Sequence, residues 1–225
     1  MCGRFVLMSS GKLLAERFEL EEEPDLEARY NIAPSQPVPA IRVKSSRREL
    51  SMLRWGLIPF WAKDPKIGYK MINARSESVA EKPAFRSAFK QRRCLILADG
   101  FYEWDKSEKP KQPYLFQMKD QKPFAFAGLW ENWKGDDDEI IESCTILTTD
   151  ANDLVTTLHD RMPVILTPAD YASWIDPDPK KPEMLRELLV PYPADKMEAY
   201  PVTTKVNKPS YDEPGCIQPT TDKRL

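Results

Sequence analysis

The sequence predicts an α+β fold: a single domain built on a curled, mainly antiparallel β-sheet with a barrel-like core and peripheral helices. Three observations carry that expectation. Short apolar runs rich in Val, Ile, Phe and Trp alternate with turn residues, the pattern of strands. Helical periodicity is confined to brief stretches between those runs. The 21 prolines fall between apolar runs on either side, which marks short connections rather than disorder. No internal repeat and no shift of composition divides residues 1–225, so one domain is expected throughout, its Pro-rich tail from about residue 191 packed on the body or trailing from it.

The elements follow in order. Phe5-Val6-Leu7-Met8 reads as a strand, and Lys12 to Leu20 carries Leu13, Leu14 and Phe18 at helical spacing before Glu21-Glu22-Glu23-Pro24 breaks it. Tyr30 to Pro37 is a Pro-punctuated loop. Val38 to Val43 and Leu50 to Ile58 are strands about a turn at Ser45-Ser46-Arg47-Arg48. Ser78-Val79-Ala80-Glu81 matches a capping box, with Pro83 suited to the first turn and Phe85 and Phe89 on one helical face. That basic stretch (Arg86, Lys90, Arg92, Arg93) is either a solvated face or a phosphate-binding patch. Cys94 to Asp105 reads as one strand, with Gly100 at a bulge or close approach. Tyr114 to Met118 and Phe124 to Trp130 read as a hairpin about Lys119 to Lys122. A strand at Ile140 to Thr148 precedes a helix to Leu158 capped by Asp150 or Asn152. His159-Asp160-Arg161-Met162-Pro163 is a loop before the strand Val164-Ile165-Leu166. Thr167-Pro168 starts a helix with Tyr171 and Trp174, Asp176 to Pro182 is a linker, Glu183 to Val190 a short amphipathic helix, and the tail extended and poor in motifs.

Composition excludes several classes. With Lys+Arg 33 against Asp+Glu 35 and a formal charge of −2, the chain is not coated in positive charge, so a nucleic-acid site must be a local patch. No apolar run approaches the roughly 18 residues of a membrane span, and the N-terminus lacks the regions of a secretory signal. A cytoplasmic monomer is expected, nucleoid-associated if bacterial. Cysteines at 2, 94, 144 and 216 lack metal-ligand spacing and read as reduced thiols. His159 is the one histidine, so imidazole chemistry must fall to it.

The first residues, Met1-Cys2-Gly3-Arg4-Phe5, admit an unusual chemistry. Removal of Met1 leaves a cysteine with a free α-amine beside its thiol, and such a 1,2-aminothiol condenses with an aldehyde and closes to a thiazolidine. An α-amine titrates near about 8 and a cysteine near about 8.5, and a neighbouring Arg4 is expected to lower the thiol further. Position alone favours an ordinary small residue at a frayed terminus. Polar residues at other strand ends stand out too: Asn73 after Met71-Ile72, Glu103 between Tyr102 and Trp104, and His159 beside Asp160 and Arg161. Glu103 invites a raised pKa if buried, suiting general acid–base work, or else faces water or an arginine. Asn73 is equally a turn cap, and His159 a helix C-terminal residue that complements the dipole.

The chain resembles the SRAP (SOS response-associated peptidase) family, also called abasic-site processing proteins. The resemblance rests on Met1-Cys2-Gly3-Arg4-Phe5, Tyr30 to Gln36, Arg54-Trp55-Gly56-Leu57-Ile58-Pro59, Ile72 to Glu77, Arg93 to Trp104 and Leu158 to Pro163, spanning residues 1 to about 166 in family order. Leu97 and Ser35 depart from the usual proline and threonine. The resemblance implies an SRAP fold and covalent capture of abasic sites in single-stranded DNA. Cys2 would be the crosslinking residue, with Asn73, Glu103 and His159 as partners and lyase activity accompanying capture. It implies phosphate contacts from Arg4, Arg75 and Arg161, with Lys70 and Arg86 as further candidates, and stacking or wedging by Pro34, Trp61 and Trp104. No metal or organic cofactor is implied. Two other readings stay open: a thiol N-terminal-nucleophile peptidase, whose simplest act is removal of Met1, and a non-covalent single-stranded DNA-binding module.

Overall fold

Branched and aromatic residues recur in short runs, and in the computed structural model, which describes residues 2–107, 109–136, 138–178 and 184–220, those runs are strands. In chain order the elements are β1 (Phe5–Leu7), α1 (Gly11–Phe18), β2 (Arg29–Ile32), β3 (Pro37–Lys44), β4 (Arg47–Trp55), β5 (Asn73–Arg75), α2 (Arg86–Gln91), β6 (Arg93–Ala98), β7 (Gly100–Asp105), β8 (Gln112–Met118), β9 (Phe124–Lys134), β10 (Ile140–Asp150), β11 (Arg161–Pro163), β12 (Ile165–Leu166), α3 (Tyr171–Ile175), α4 (Met184–Glu187) and β13 (Met197–Pro201).

Part of the sheet closes on itself. β3 pairs antiparallel with β4 and β6, and β9 pairs antiparallel with β6 and β10. β10 then meets β4 in parallel at Cys144↔Trp55, completing the ring β10–β4–β3–β6–β9. The curled, mainly antiparallel architecture expected of the sequence is present as this small barrel. A second sheet, in the order β13–β8–β7–β1–β2, shares the main core with it. β1 runs between the two, and its period-2 alternation divides its side chains. Phe5 and Leu7 join the main core, Phe5 with its ring 5.2 Å from that of Trp55, while Val6 joins a smaller cluster with Tyr102, Leu115 and Tyr200. Fully burying a ring such as that of Phe5 stabilises by about 1.5–3 kcal/mol.

Local signals hold where the chemistry is local. Ser10 caps α1, accepting from the Leu13 N–H at 3.3 Å, and Glu19 ends the helix in the left-handed conformation at φ 55°. Ser45 and Ser46 both take positive φ, which gives the two-residue hairpin between Lys44 and Arg47 its primed turn. Thr167-Pro168 opens a 3₁₀ turn that runs into α3, burying Tyr171 and Trp174. Asn152 Oδ1 accepts from the Val155 N–H at 2.9 Å, capping a 3₁₀ turn in place of the expected helix.

Three further expectations are corrected. Cys94 to Asp105 is two strands, for the chain leaves the barrel at Asp99 and enters the second sheet. There the Asp99 carboxylate accepts from the N–H groups of Met8 (2.6 Å) and Ser9 (2.8 Å), which a straight ladder would leave unmet. The close approach at Gly100 is real, since a Cβ there would lie 2.7 Å from the Phe116 carbonyl oxygen. β8 and β9 flank a turn but do not pair. β8 lies between β7 and β13 while β9 belongs to the barrel, because two apolar runs around a turn specify a reversal and not a partner. The tail is thus a working strand, β13 pairing with β8 from Met197↔Met118 to Pro201↔Tyr114. The Ser78 capping box makes only turns, and α2 starts at Arg86, because Pro83 disfavours helical backbone at the residue before it. Phe85 and Phe89 do share its buried face. The expected helix at Glu183 to Val190 is seen as α4, with Glu183, like Met1 and part of the Asp176–Pro182 linker, outside the described residues. Among the described residues no helix is long and apolar enough to cross a membrane.

Candidate active site

β1 delivers the N-terminal residues to the edge of the barrel. Cys2 is fully buried, and its carbonyl oxygen accepts from Asn73 Nδ2 at 2.8 Å. Asn73 is fixed in turn by β5, which runs parallel to β10 with Asn73 opposite Ile146, and by the preceding Ile72 carbonyl. That carbonyl accepts from Trp55 Nε1 at 2.8 Å and from the Ile146 N–H at 3.1 Å. Asn73 Oδ1 is buried and has no hydrogen-bond partner among the described residues. An orphaned buried acceptor on an otherwise pinned side chain is costly unless something arrives to meet it.

Alternation along β7 places Glu103. Phe101 enters the main core and Tyr102 and Trp104 take the other face, which leaves Glu103 on the core side. It is 3 % exposed. Burial raises its carboxyl to about 7, so it changes protonation near neutral pH. Burial likewise pushes the Cys2 thiol up to about 12, with the Glu103 carboxylate adding to the rise. The expectation that Arg4 lowers this thiol is therefore corrected. The Arg4 guanidinium turns to the second sheet, donating to Asn31 Oδ1 at 2.7 Å and the Val206 carbonyl at 2.9 Å, with the Trp104 ring 5.9 Å away.

His159 follows the short turn at Val155–Thr157 and precedes β11. Its Nδ1 lies 3.0 Å from the Arg161 N–H and 2.8 Å from Asp160 Oδ1. Burial lowers the imidazole pKa and so favours the neutral ring. On a neutral ring Nδ1 accepts from the backbone N–H, since the Asp160 carboxylate is largely exposed and screened. The proton then sits on Nε2, an assignment inferred from these hydrogen bonds.

Glu103 and His159 line one cavity of about 520 Å³ together with Gly3, Arg4 and Trp104, and Lys106, Lys111 and Asn207 complete its wall. A cavity of about 560 Å³ lies elsewhere, between the Leu20–Asp25 segment and the Arg47–Leu50 stretch, and holds none of the candidate residues. Position in the chemistry outweighs that small difference in size. Among the described residues no group of three His, Cys, Asp or Glu is arranged to hold a metal ion.

The remaining candidates divide. Arg161 is nearly buried and internally bound: Nη1 donates to Glu77 Oε1 (2.6 Å) and Asp150 Oδ1 (2.7 Å), Nη2 to Glu77 Oε2 (3.0 Å) and the Thr148 carbonyl (2.6 Å). Those hydrogen bonds hold the Glu77 carboxyl below its ordinary value. Lys70, Arg75 and Arg86 are exposed, and Pro34 is half-buried. Trp61, about half exposed, shares a shallow cavity with Arg86, Phe60 and Lys90. Sequence reasoning missed Asn31, Lys106, Lys111 and Asn207. Asn31 stood within a quoted motif. Asn207 lay in the tail, where no local pattern marks a residue that reaches the site.

Comparison with known proteins places the chain among relatives of the same fold and family. The family model described as SOS response associated peptidase (SRAP) matches residues 1–209. The abasic site processing protein YoqW of Bacillus subtilis is 46 % identical over 222 residues, 97 % of this chain and 99 % of that protein. The abasic site processing protein HMCES of Xenopus tropicalis is 33 % identical across 84 % of this chain and 65 % of its own length. A crystal structure of a protein from Bacteroides thetaiotaomicron superposes with a TM-score of 0.88 at 28 % identity, covering 98 % of this chain and all of that one.

Proposed function

The chain belongs to the SOS response associated peptidase (SRAP) family, and from that premise we propose that it processes abasic sites in single-stranded DNA by covalent capture on Cys2. The observation that carries the reading is Glu103, a carboxyl titrating near 7 that shares one cavity with the single imidazole of the chain and whose charge reaches the Cys2 thiol buried behind that cavity's wall at Gly3. A group poised near working pH is the most effective proton carrier. With Met1 attached the thiol is buried, protonated and beside a blocked amine, so the uncleaved chain is unreactive.

Removal of Met1 supplies the α-amine. It adds to the C1′ aldehyde of the ring-opened deoxyribose, and loss of water, with Glu103 giving the proton to the departing hydroxyl, leaves an imine. The sulfur attacks that carbon, the thiol proton passes by way of Glu103 to the imine nitrogen, and a five-membered thiazolidine closes. Asn73 Oδ1 offers the amine an acceptor. His159 donates from Nε2 to the sugar oxygen. The imine also acidifies C2′, so β-elimination of the 3′ phosphate competes. Ring closure makes C1′ tetrahedral, removes that acidity and protects the strand. Pro34, Trp61 and Trp104 stack or wedge against flanking bases, and Lys70, Arg75 and Arg86 meet phosphates. In this reading the protein works as a monomer in the cytoplasm, on the nucleoid if bacterial, and its peptidase act is confined to its own Met1.

The test is a denaturing gel of purified protein incubated with a single-stranded oligonucleotide bearing one abasic site. A band that survives denaturant, needs the aldehyde and is lost in Cys2→Ala supports capture. Equal retention of intact and abasic DNA with no covalent band supports a binding module instead. Crosslinking by a protein that keeps Met1 or an N-terminal tag refutes the ring mechanism.

A further inference from the structure

Three cationic side chains line the cavity, Arg4, Lys106 and Lys111, against the one carboxylate of Glu103, on a chain whose formal charge is −2. Of the three arginines that stand two residues after a reactive residue, two are committed inward, Arg4 to Asn31 and Val206, Arg161 to Glu77, Asp150 and Thr148, while Arg75 is exposed and does not line this cavity. The lysines are exposed and stand at the two ends of the loop joining β7 to β8, just beyond the pair Asp105↔Gln112. Asp105, which precedes Lys106, accepts from the Ser107 N–H at 2.8 Å and hydroxyl at 2.6 Å and does not line the cavity. The loop is held in place from the tail: Asn207 Nδ2 donates to the Lys111 carbonyl at 3.1 Å, and its Oδ1 accepts from Trp104 Nε1 at 2.6 Å.

We propose that Lys106 and Lys111 form a phosphate clamp, gripping the phosphodiester of the DNA strand next to the captured sugar. An ammonium is a mobile point charge that meets a phosphate oxygen from many directions, which suits a backbone whose neighbouring base is missing. Asn207 acts as a positioning residue, keeping the loop and the Trp104 ring in fixed relation across the cavity. Lys106 also acts on both proton-carrying groups: its charge draws the Glu103 carboxyl down against burial and lowers the His159 imidazole further. The inference rests on the capture reading and adds a binding element that reading lacks.

The experiment titrates an intact single-stranded oligonucleotide by fluorescence anisotropy across a salt series, with wild type, Lys106→Ala/Lys111→Ala and Lys106→Arg/Lys111→Arg. Each phosphate contact contributes about 0.7 to the slope of log K against log salt for single strands. The alanine pair should therefore flatten that slope by about 1.4, each single alanine by half as much, and the arginine pair should keep it. An unchanged slope in the alanine pair, or no measurable binding of the intact strand by wild type, overturns the clamp. If the pair unfolds, the single variants decide by the same criterion. A wild type that shows no covalent band with an abasic oligonucleotide defeats the capture reading instead, and the salt titration is unaffected.

Discussion

Replacing Glu103 by glutamine separates its proton chemistry from its place in the fold. The carboxyl is almost wholly buried, and burial raises it from 4.5 to about 7. This is the reverse of the usual carboxylate case, in which a partner depresses the value. A group whose folded pKa lies above its unfolded one binds its proton more tightly when folded. The stability linked to it is therefore complete below about pH 4.5 and is lost as the pH rises through 7. At about 1.4 kcal/mol per pH unit, the displacement amounts to roughly 3 kcal/mol.

Glu103→Gln keeps the shape of the protonated acid and carries no charge at any pH. Its stability relative to wild type should open from near zero at acid pH to roughly 3 kcal/mol in its favour near pH 8.5. For a chain of this size each kcal/mol moves Tm by roughly 2–4 °C, so the variant should melt about 6–12 °C higher at alkaline pH. Thermal unfolding of both proteins, followed by fluorescence across the range, measures the difference and cancels every other titrating group. The same variant should capture abasic DNA far more slowly while binding intact DNA as before. A Tm difference that does not change with pH would mean that the carboxyl is not raised, and its assignment as the proton carrier would fall.

Cys2→Ser retains the α-amine after Met1 removal but lacks the sulfur. It should form only an imine, visible on a gel after borohydride reduction and absent without it; a stable unreduced band would contradict ring closure through sulfur. Asn73→Ala removes the donor to the Cys2 carbonyl at 2.8 Å, and should slow capture by about tenfold, the loss of roughly one hydrogen bond, with intact-DNA affinity retained. Equal losses in both would assign Asn73 to DNA binding. Arg161→Ala removes one of the two donors to the Thr148 carbonyl, which keeps the Ser76 N–H at 2.9 Å, and breaks a partly exposed network, at a cost on the order of 1 kcal/mol in thermal unfolding. Its salt slope for intact DNA should equal that of wild type, and a shallower slope would return Arg161 to the phosphate contacts.

How much of this was legible beforehand depends on how far each feature reaches along the chain. The Ser45-Ser46 turn, the Ser10 cap and the α3 start are set within a few residues, and the sequence carries them whole. The partner of β8 is chosen by β13, about eighty positions downstream, and no local pattern encodes that choice. The site divides in the same way. Cys2 could be singled out by the aminothiol that Met1 removal would leave, His159 as the one histidine, and Asn73 and Glu103 as polar residues beside apolar ones, which is costly unless they serve a purpose. Lys106, Lys111 and Asn207 sit where polar residues are ordinary, so only their convergence in space distinguishes them.

Arg4 and Arg161 are both engaged within the fold. The family resemblance implied phosphate contacts for both, and both guanidiniums are bound internally: Arg4, just before β1, to an amide oxygen and a carbonyl, and Arg161, at the start of β11, to carboxylates and a carbonyl. A guanidinium so engaged still shapes the site. Arg4 ties β1 to the Val206 carbonyl and, through Asn31, to the carbonyls of Lys208 and Tyr211. The tail that pins Trp104 by Asn207 is thus also the tail that pins Arg4, two residues after Cys2. The N-terminal residues and the cavity wall at Trp104 are held by one segment, and in the capture reading a disturbance of the tail around Asn207 should reach capture through both.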